Sequence, residues 1–390
     1  MSQPTQHDII IVGSGPAGLA TGLHLLQRAP ELAQRTLILE KARHPRPKLC
    51  AGGLLPDALT RLELLNLDVT ETPHVKVPWA NFTFQGRGMR MTADRRDYAF
   101  YVIRRHEFDA WLASKARERG LTLQEETRVL AVRHDGDGVI VETDRGNLYA
   151  RAVVGADGAN SVVRRAVQPE SSRNVARLLE VLVHPRNGDA PKDHHPPHLP
   201  DEAYFEFGCL PYNIQGYVWD FPTQEGGAPR RCWGIYDSRV DSRGDKGDLP
   251  NTLNEFMARY GYTPADYTLK AHPIRWFDAG ATFSAPGIVL AGDAAGVDAA
   301  FGEGLSPALG YGEIVADALA DAFAREDFSF SDYRKRVLGH SLGRALRTRT
   351  FTAKMLFSLR QPGIQRLLWW RFSGLLHWYI NHFVINWTER

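Results

Sequence analysis

An α/β fold is predicted, with an antiparallel sheet inserted between the pieces of a dinucleotide-type domain and a helical C-terminal region. Three features of the 390-residue chain predict it. A short apolar run near the start ends in a glycine-rich turn and a helix. Two more apolar runs ending in glycine turns follow far downstream, at 153–158 and 287–295. Between them the pattern changes to short alternating segments rich in aromatics. The composition agrees, because 43% apolar and 24% charged residues exclude disordered, collagen-like and coiled-coil chains. Cys50, Cys209 and Cys232 form no C-x-x-C pair, which argues against a disulfide scaffold, a zinc ribbon or a redox dithiol. The expectation is a reduced, cytoplasmic chain without a secretory signal or a membrane-spanning segment.

The elements follow in order. Residues 8–12 suit a buried parallel strand, Pro16–Arg28 a helix and 36–40 the next strand. Residues 81–84 and 89–91 alternate like antiparallel strands. A helix is expected over 105–120, stopping at glycine, then strands at 121–132, 138–143 and 151–156. Residues 185–202 read as an exposed loop. Its His194, His195 and His198 lack a matching cysteine or helical spacing, so no metal site is expected. Strands are expected again at 203–207, 216–221, 231–236 and 287–291, then a helix over 306–325. Residues 331–387 read as helical, broken at Pro362-Gly363. The predicted division assigns 1–72, 102–175 and 278–330 to the nucleotide-binding domain, 73–101 and 176–277 to the inserted sheet, and 331–390 to a basic helical region.

The first turn carries the chemistry. Gly13-Ser14-Gly15-Pro16-Ala17-Gly18 joins strand to helix, and Glu40 ends the next strand. In such a Rossmann-type unit the first glycine makes the tight turn. The second lets backbone approach a pyrophosphate, and the third lets helix pack on strand. The helix start offers N–H groups and a partial positive charge. Glu40 suits the ribose hydroxyls. These residues do not distinguish FAD from NAD.

The later motifs are more specific. Val153-Val154-Gly155-Ala156-Asp157-Gly158, with Ser161 and Arg164, resembles the DG motif of flavoproteins with the para-hydroxybenzoate hydroxylase fold. Gly287 through Ala295, centred on Gly292-Asp293, resembles their GD motif, and Arg105-His106-Glu107-Phe108-Asp109 their R-x-x-F-D helix start. Lys48-Leu49-Cys50-Ala51-Gly52-Gly53-Leu54 is similar to the K-x-C-x-G-G segment of the geranylgeranyl reductase family. Gly216-Tyr217-Val218-Trp219-Asp220-Phe221-Pro222 is similar to its Y-x-W-x-F-P motif. Ile214 stands where that motif usually has proline.

The resemblance covers about residues 7–330. It implies an FAD site made of Gly13, Gly15, Pro16, Ala17, Gly18, Glu40, Lys41, Lys48, Ala51, Arg105, Val129, Asp157, Gly158, Gly292, Asp293, Gly302, Gly304 and Leu305. Within it, Asp293 meets the ribityl chain and Val129 the adenine. The resemblance further implies reduction of C=C bonds in an isoprenoid or similar lipophilic substrate. NADPH or reduced ferredoxin are the candidate electron donors. Cys50, the one thiol of the flavin-side loop, is a candidate for proton donation or gating, with a small apolar filler as the plain alternative. Tyr217, Trp219 and Phe221 share one strand face and are candidates to line the substrate channel, with ordinary sheet packing as their alternative. The rival activities are a flavin monooxygenase, a flavin halogenase and a non-catalytic flavin-bound lipid-binding protein.

The charge is uneven. The chain carries a net +2, yet residues 331–390 hold eleven Lys/Arg against Asp332 and Glu389. Trp369, Trp370, Trp378 and Trp387 crowd the same end. Two readings stand: an anionic membrane surface as partner, or a cap folded onto the body. Nucleic acid is not expected, because no binding module accompanies the charge. The oligomeric state is left open.

Overall fold

A computed structural model describes residues 5–92, 97–169, 174–186, 197–242, 245–385 and 387–389. The strand Thr5–Val12 lies centrally in an eight-stranded sheet. It pairs in parallel with Thr36–Leu39 on one side and Gly146–Gly155 on the other. Thr122–Gln124 and Ile288–Leu290 extend the parallel order outward. The central strand reads as unbroken Ile9, Ile10, Ile11 because both of its faces are buried. Helices Pro16–Arg28 and Leu305–Arg325 pack against one another over this sheet.

The inserted unit is a seven-stranded sheet. Its order is Lys270–Arg275, Val175–Val183, Ala228–Asp237, Gly216–Glu225, Ala203–Glu206, Ala80–Phe84 and Arg87–Met91. All its pairings are antiparallel except that of Ala203–Glu206 with Ala80–Phe84. A third, three-stranded sheet of Gly53–Leu54, His74–Val77 and Phe100–Ile103 sits beside it. The fold is therefore the Rossmann-type α/β unit with an inserted antiparallel sheet and a helical C-terminal region.

The structure corrects several local expectations. Residues 121–132 are two strands, Thr122–Gln124 and Val129–Asp135, not one. The chain turns at Glu126 (φ 54°), and the Thr127 N–H bonds the Glu40 carbonyl at 2.9 Å instead of continuing a ladder. Strands Val175–Val183 and Lys270–Arg275 escaped the sequence reading. The first is a nearly continuous apolar run, and the second carries a proline and mostly polar residues. His198 is not exposed. Its ring stacks on Tyr204 at 3.6 Å, its Nδ1 lies 2.7 Å from Asp220, and its Nε2 lies 2.8 Å from Tyr260. His194 and His195 lie outside the described residues. Among the described residues no group of His, Cys, Asp and Glu is arranged to hold a metal.

The C-terminal region packs on the body. Helix Ser341–Ser358 buries Leu342, Leu346 and Phe357, and Trp369 is fully buried against Phe207 at 4.5 Å. Trp387 is also buried. The break falls just before Pro362, which opens the next helix at a position where its missing N–H costs nothing. Among the described residues no helix is long and apolar enough to cross a membrane.

Candidate active site

One cavity of about 880 Å³ runs from the first glycine turn across the molecule to the inserted sheet. Every candidate residue named above lines it except Gly18. The parallel-sheet unit and its turns contribute Gly13, Gly15, Pro16, Ala17, Glu40, Lys41, Arg105, Val129, Asp157, Gly158, Gly292 and Asp293. The segments 48–51 and 302–305 contribute Lys48, Cys50, Ala51, Gly302, Gly304 and Leu305, and the inserted sheet contributes Tyr217, Trp219 and Phe221.

The three glycines of the first turn have different surroundings. A Cβ on Gly13 would meet the Ala156 carbonyl, and Gly13 takes a positive φ of 103°. A Cβ on Gly18 would meet the Gly13 carbonyl. A Cβ on Gly15 would find only Arg46, 3.8 Å away, so this residue opens onto the cavity. Helix Pro16–Arg28 has no side-chain cap and no acid in its first turn. Its first N–H groups are thus left to an anion.

Glu40 is buried and well occupied. It accepts from the Ser14 N–H (3.2 Å), the Ser14 hydroxyl (2.9 Å) and the Ala42 N–H (3.1 Å), and it pairs with Arg46 at 3.2 Å. Burial opposes its charge, but Arg46 and these donors outweigh it and hold the carboxyl below its ordinary value. Arg46 also reaches Asp109 at 3.3 Å. Asp109 in turn grips Arg105 through two bonds of 2.7 and 2.9 Å, one helical turn away. Asp109 and the other partners overcome the burial of Arg105 and raise its pKa. The Asp157 carboxylate is engaged by Ser161 and by the Val162 N–H at 2.6 Å, so it caps the short helix Val162–Val167 while its position lines the cavity.

The far loop, 298–304, is braced from two sides. The Tyr217 hydroxyl donates to the Phe301 carbonyl and the Tyr236 hydroxyl to the Ala299 carbonyl. Tyr217 is therefore a strut as well as a wall. Beneath the loop Arg349, fully buried, bonds Asp298 at 3.2 Å and Glu303 at 3.1 Å. Glu303 accepts from the Ser306 N–H at 2.6 Å and so caps helix Leu305–Arg325. Burial lifts Glu303 to about 6, with Arg349 opposing.

Cys50 is half-buried, and its Sγ accepts the Gly52 N–H at 3.3 Å. Burial pushes its thiol up, against the pull of Arg105. Lys48 lies 2.6 Å from the Nε2 of His272. Burial lowers both pKa values; that of His272 falls to about 4, with Lys48 adding to the effect. His272 is therefore neutral and accepts from the ammonium. Sequence reasoning missed Arg46, His272, Glu180 and Arg349. No local motif marks these four, whereas Asp109 stands in the R-x-x-F-D segment, four residues from Arg105.

A family model for the FAD binding domain matches residues 6–232. The chain belongs to this FAD-binding family. The oxidoreductase is 27% identical over 349 residues to digeranylgeranylglycerophospholipid reductase 2 of Methanopyrus kandleri, covering 84% of this chain and 80% of the relative. It is 26% identical over 236 residues to the menaquinone reductase of Mycolicibacterium smegmatis, covering 57% of this chain and 53% of that one. Its fold is similar to a geranylgeranyl bacteriochlorophyll reductase-like protein of Thermoplasma acidophilum. That match has a TM-score of 0.78 at 20% identity and covers 99% of this chain and 98% of the other.

The residues present fit FAD. Gly15 leaves room at an uncapped helix start, as a pyrophosphate needs. Glu40, Asp293 and Val129 line the same cavity.

Proposed function

We propose that this FAD-dependent oxidoreductase reduces C=C double bonds of an isoprenoid or similarly lipophilic substrate. One observation carries the reading. Beside the flavin-side loop, the cavity is walled by Phe82, Phe205, Tyr217, Trp219, Phe221 and Tyr236, all on one face of the inserted sheet. Such a surface suits a hydrocarbon chain and excludes water. The names of the relatives support the same class of substrate.

Gly15 and the start of helix Pro16–Arg28 would hold the pyrophosphate, Glu40 the adenosine ribose, and Asp293 the ribityl chain. Bound and reduced, the flavin supplies a hydride. The protein's part is to orient the chain, keep the site dry and deliver a proton. The N–H groups of Gly304 and Leu305, at the start of a 21-residue helix, favour negative charge nearby. The electron donor is external, and NADPH or reduced ferredoxin are the candidates to compare.

Photoreduced protein is incubated anaerobically with a polyprenyl lipid, and the lipid is weighed by mass spectrometry. A gain of about two mass units per event is expected for reduction. A gain of about sixteen, on admitting air, identifies oxygenation instead.

We further propose that the C-terminal region seats the molecule on an anionic membrane surface, where such a substrate resides. Phe351, Met355, Ile364, Leu367, Phe372, Leu375, Trp378 and Phe383 are exposed along it, with exposed Lys354, Arg366 and Arg371 among them. Ile385 of the same region lines the cavity.

A further inference from the structure

We propose that Glu180 is the acid that protonates the substrate alkene. The inference rests on the reductase reading above. Glu180 lies on the strand Val175–Val183, second in the order of the inserted sheet, and is 5% exposed. It is the only carboxyl that this sheet presents to the cavity among the described residues. Its Oε2 is buried and has no hydrogen-bond partner. A carboxyl left in this state costs stability and calls for an explanation.

The register explains how it meets the substrate wall. Glu180 pairs with Gly234, and Gly234 with Trp219. Gly234 has no side chain, and the Trp219 indole lies where its Cβ would be. Glu180 and Trp219 therefore adjoin across a bare glycine, facing the cavity. Cys50 borders the same place, for its backbone N–H acts on the Glu180 carboxyl.

The charged and titratable groups around Glu180 come from each element packed on it. They are Arg104 and Arg105 at a helix start, Lys270 on the neighbouring strand, Cys50 on the loop and Cys232 on the other strand. Burial outweighs the pull of Arg104, Lys270, the Cys50 N–H and Arg105, and lifts the carboxyl to about 7. Near neutral pH it can thus hold a proton, give it up and recover it. Glu303, which also lines the cavity, is lifted to about 6 by burial but is engaged by Arg349 and the Ser306 N–H. The Cys50 thiol is pushed above its ordinary value, and His272 is neutral.

The step balances. The alkene π bond opens. One carbon takes a hydride, with its electron pair, from the reduced flavin. The other takes the Glu180 proton as that O–H bond breaks, leaving a carboxylate that solvent protons restore.

The test compares flavin-loaded wild type, Glu180→Gln and Glu180→Asp. In anaerobic single turnover, reoxidation of reduced flavin by a polyprenyl lipid should slow about 100-fold or more in Glu180→Gln. Glu180→Asp should fall between. The wild-type rate should decline as pH rises through about 7, and the Gln variant should lose that dependence. A second readout needs no turnover. Between the unfolded and folded pKa values the native state binds the extra proton, so the wild type loses stability as pH rises from about 5 to about 8. Glu180→Gln should therefore melt above wild type at the upper end and not at the lower. A Gln variant that reduces the lipid at the wild-type rate overturns the assignment alone. A wild type that leaves the lipid unreduced overturns the reductase reading, and this assignment with it.

Discussion

Gly13, Gly15 and Gly18 look equivalent as letters but separate in the structure, and the separation can be tested. A methyl on Gly18 would strike the Gly13 carbonyl, and one on Gly13 would also force a left-handed residue against Ala156. Gly13→Ala and Gly18→Ala are expected to lose stability, by about 1 kcal/mol or more. Gly15→Val should leave the melting temperature of the flavin-free protein nearly unchanged and weaken FAD retention, because its side chain would enter the cavity. Thermal melts with and without FAD, read beside flavin titration, check both halves. These glycines and Glu40 were legible because their chemistry lies within one strand–turn–helix–strand unit, contiguous in sequence. Glu180 and His272 were not legible. Glu180 joins the site through strand register, over Gly234, and His272 through its contact with Lys48 of a distant loop, and nothing local specifies either meeting.

At the scale of elements, the loop 298–304 is held by two others that the sequence places far away. Tyr217 and Tyr236 fix it from the inserted sheet, and Arg349 fixes it from helix Ser341–Ser358. Arg349 answers two buried carboxylates, Asp298 and Glu303, with Asp57 3.8 Å away. Removing it would strand them in a low dielectric. Arg349→Met is expected to cost about 3–5 kcal/mol near pH 8. The pH dependence has a definite sign. Glu303 already titrates at about 6, and losing Arg349 raises it further. The native state then takes up protons that the unfolded chain does not bind, so the variant regains stability as pH falls towards about 5. Urea denaturation at the two pH values reads this directly. FAD retention should drop as well, because the loop lines the cavity that fits FAD. The motif Gly302-Glu303-Gly304-Leu305 was visible in the sequence, whereas its brace was not, since Arg349 is one of eleven basic residues in a segment read for its net charge.

At the scale of the molecule, the C-terminal region folds onto the body, one of the two readings that its composition allowed, and the membrane surface is the proposal made for its exposed face. Trp369 and Trp387 are buried in the body, so the region caps the fold; Trp378 is exposed, and so is the apolar row from Phe351 to Phe383. Sequence alone could not divide these residues, because amphipathic capping and amphipathic docking share one pattern. The basic residues divide likewise. Arg360 is half-buried, bonding Asn213 at 3.3 Å and lying 3.7 Å from Asp241, so it is engaged inside the molecule. Lys354, Arg366 and Arg371 remain exposed. If this face rests on anionic lipid, each of the three contributes about 1 kcal/mol. The triple variant Lys354→Gln, Arg366→Gln, Arg371→Gln should then bind anionic liposomes about 100-fold more weakly. Raising salt from 0.1 to 1 M should also release the wild type, since the screening length falls from about 10 to about 3 Å. Leu375→Asp with Trp378→Asp should weaken binding even at low salt, by removing the apolar contact itself. Lys354 lies over Trp276 and Arg366 donates to Gln85 at 3.0 Å, but all these side chains are exposed, so the variants should lose little melting temperature and keep the flavin content. Cosedimentation with anionic and neutral vesicles measures the effect, and wild-type protein that stays in solution with both would remove the membrane from the account while leaving the cap intact.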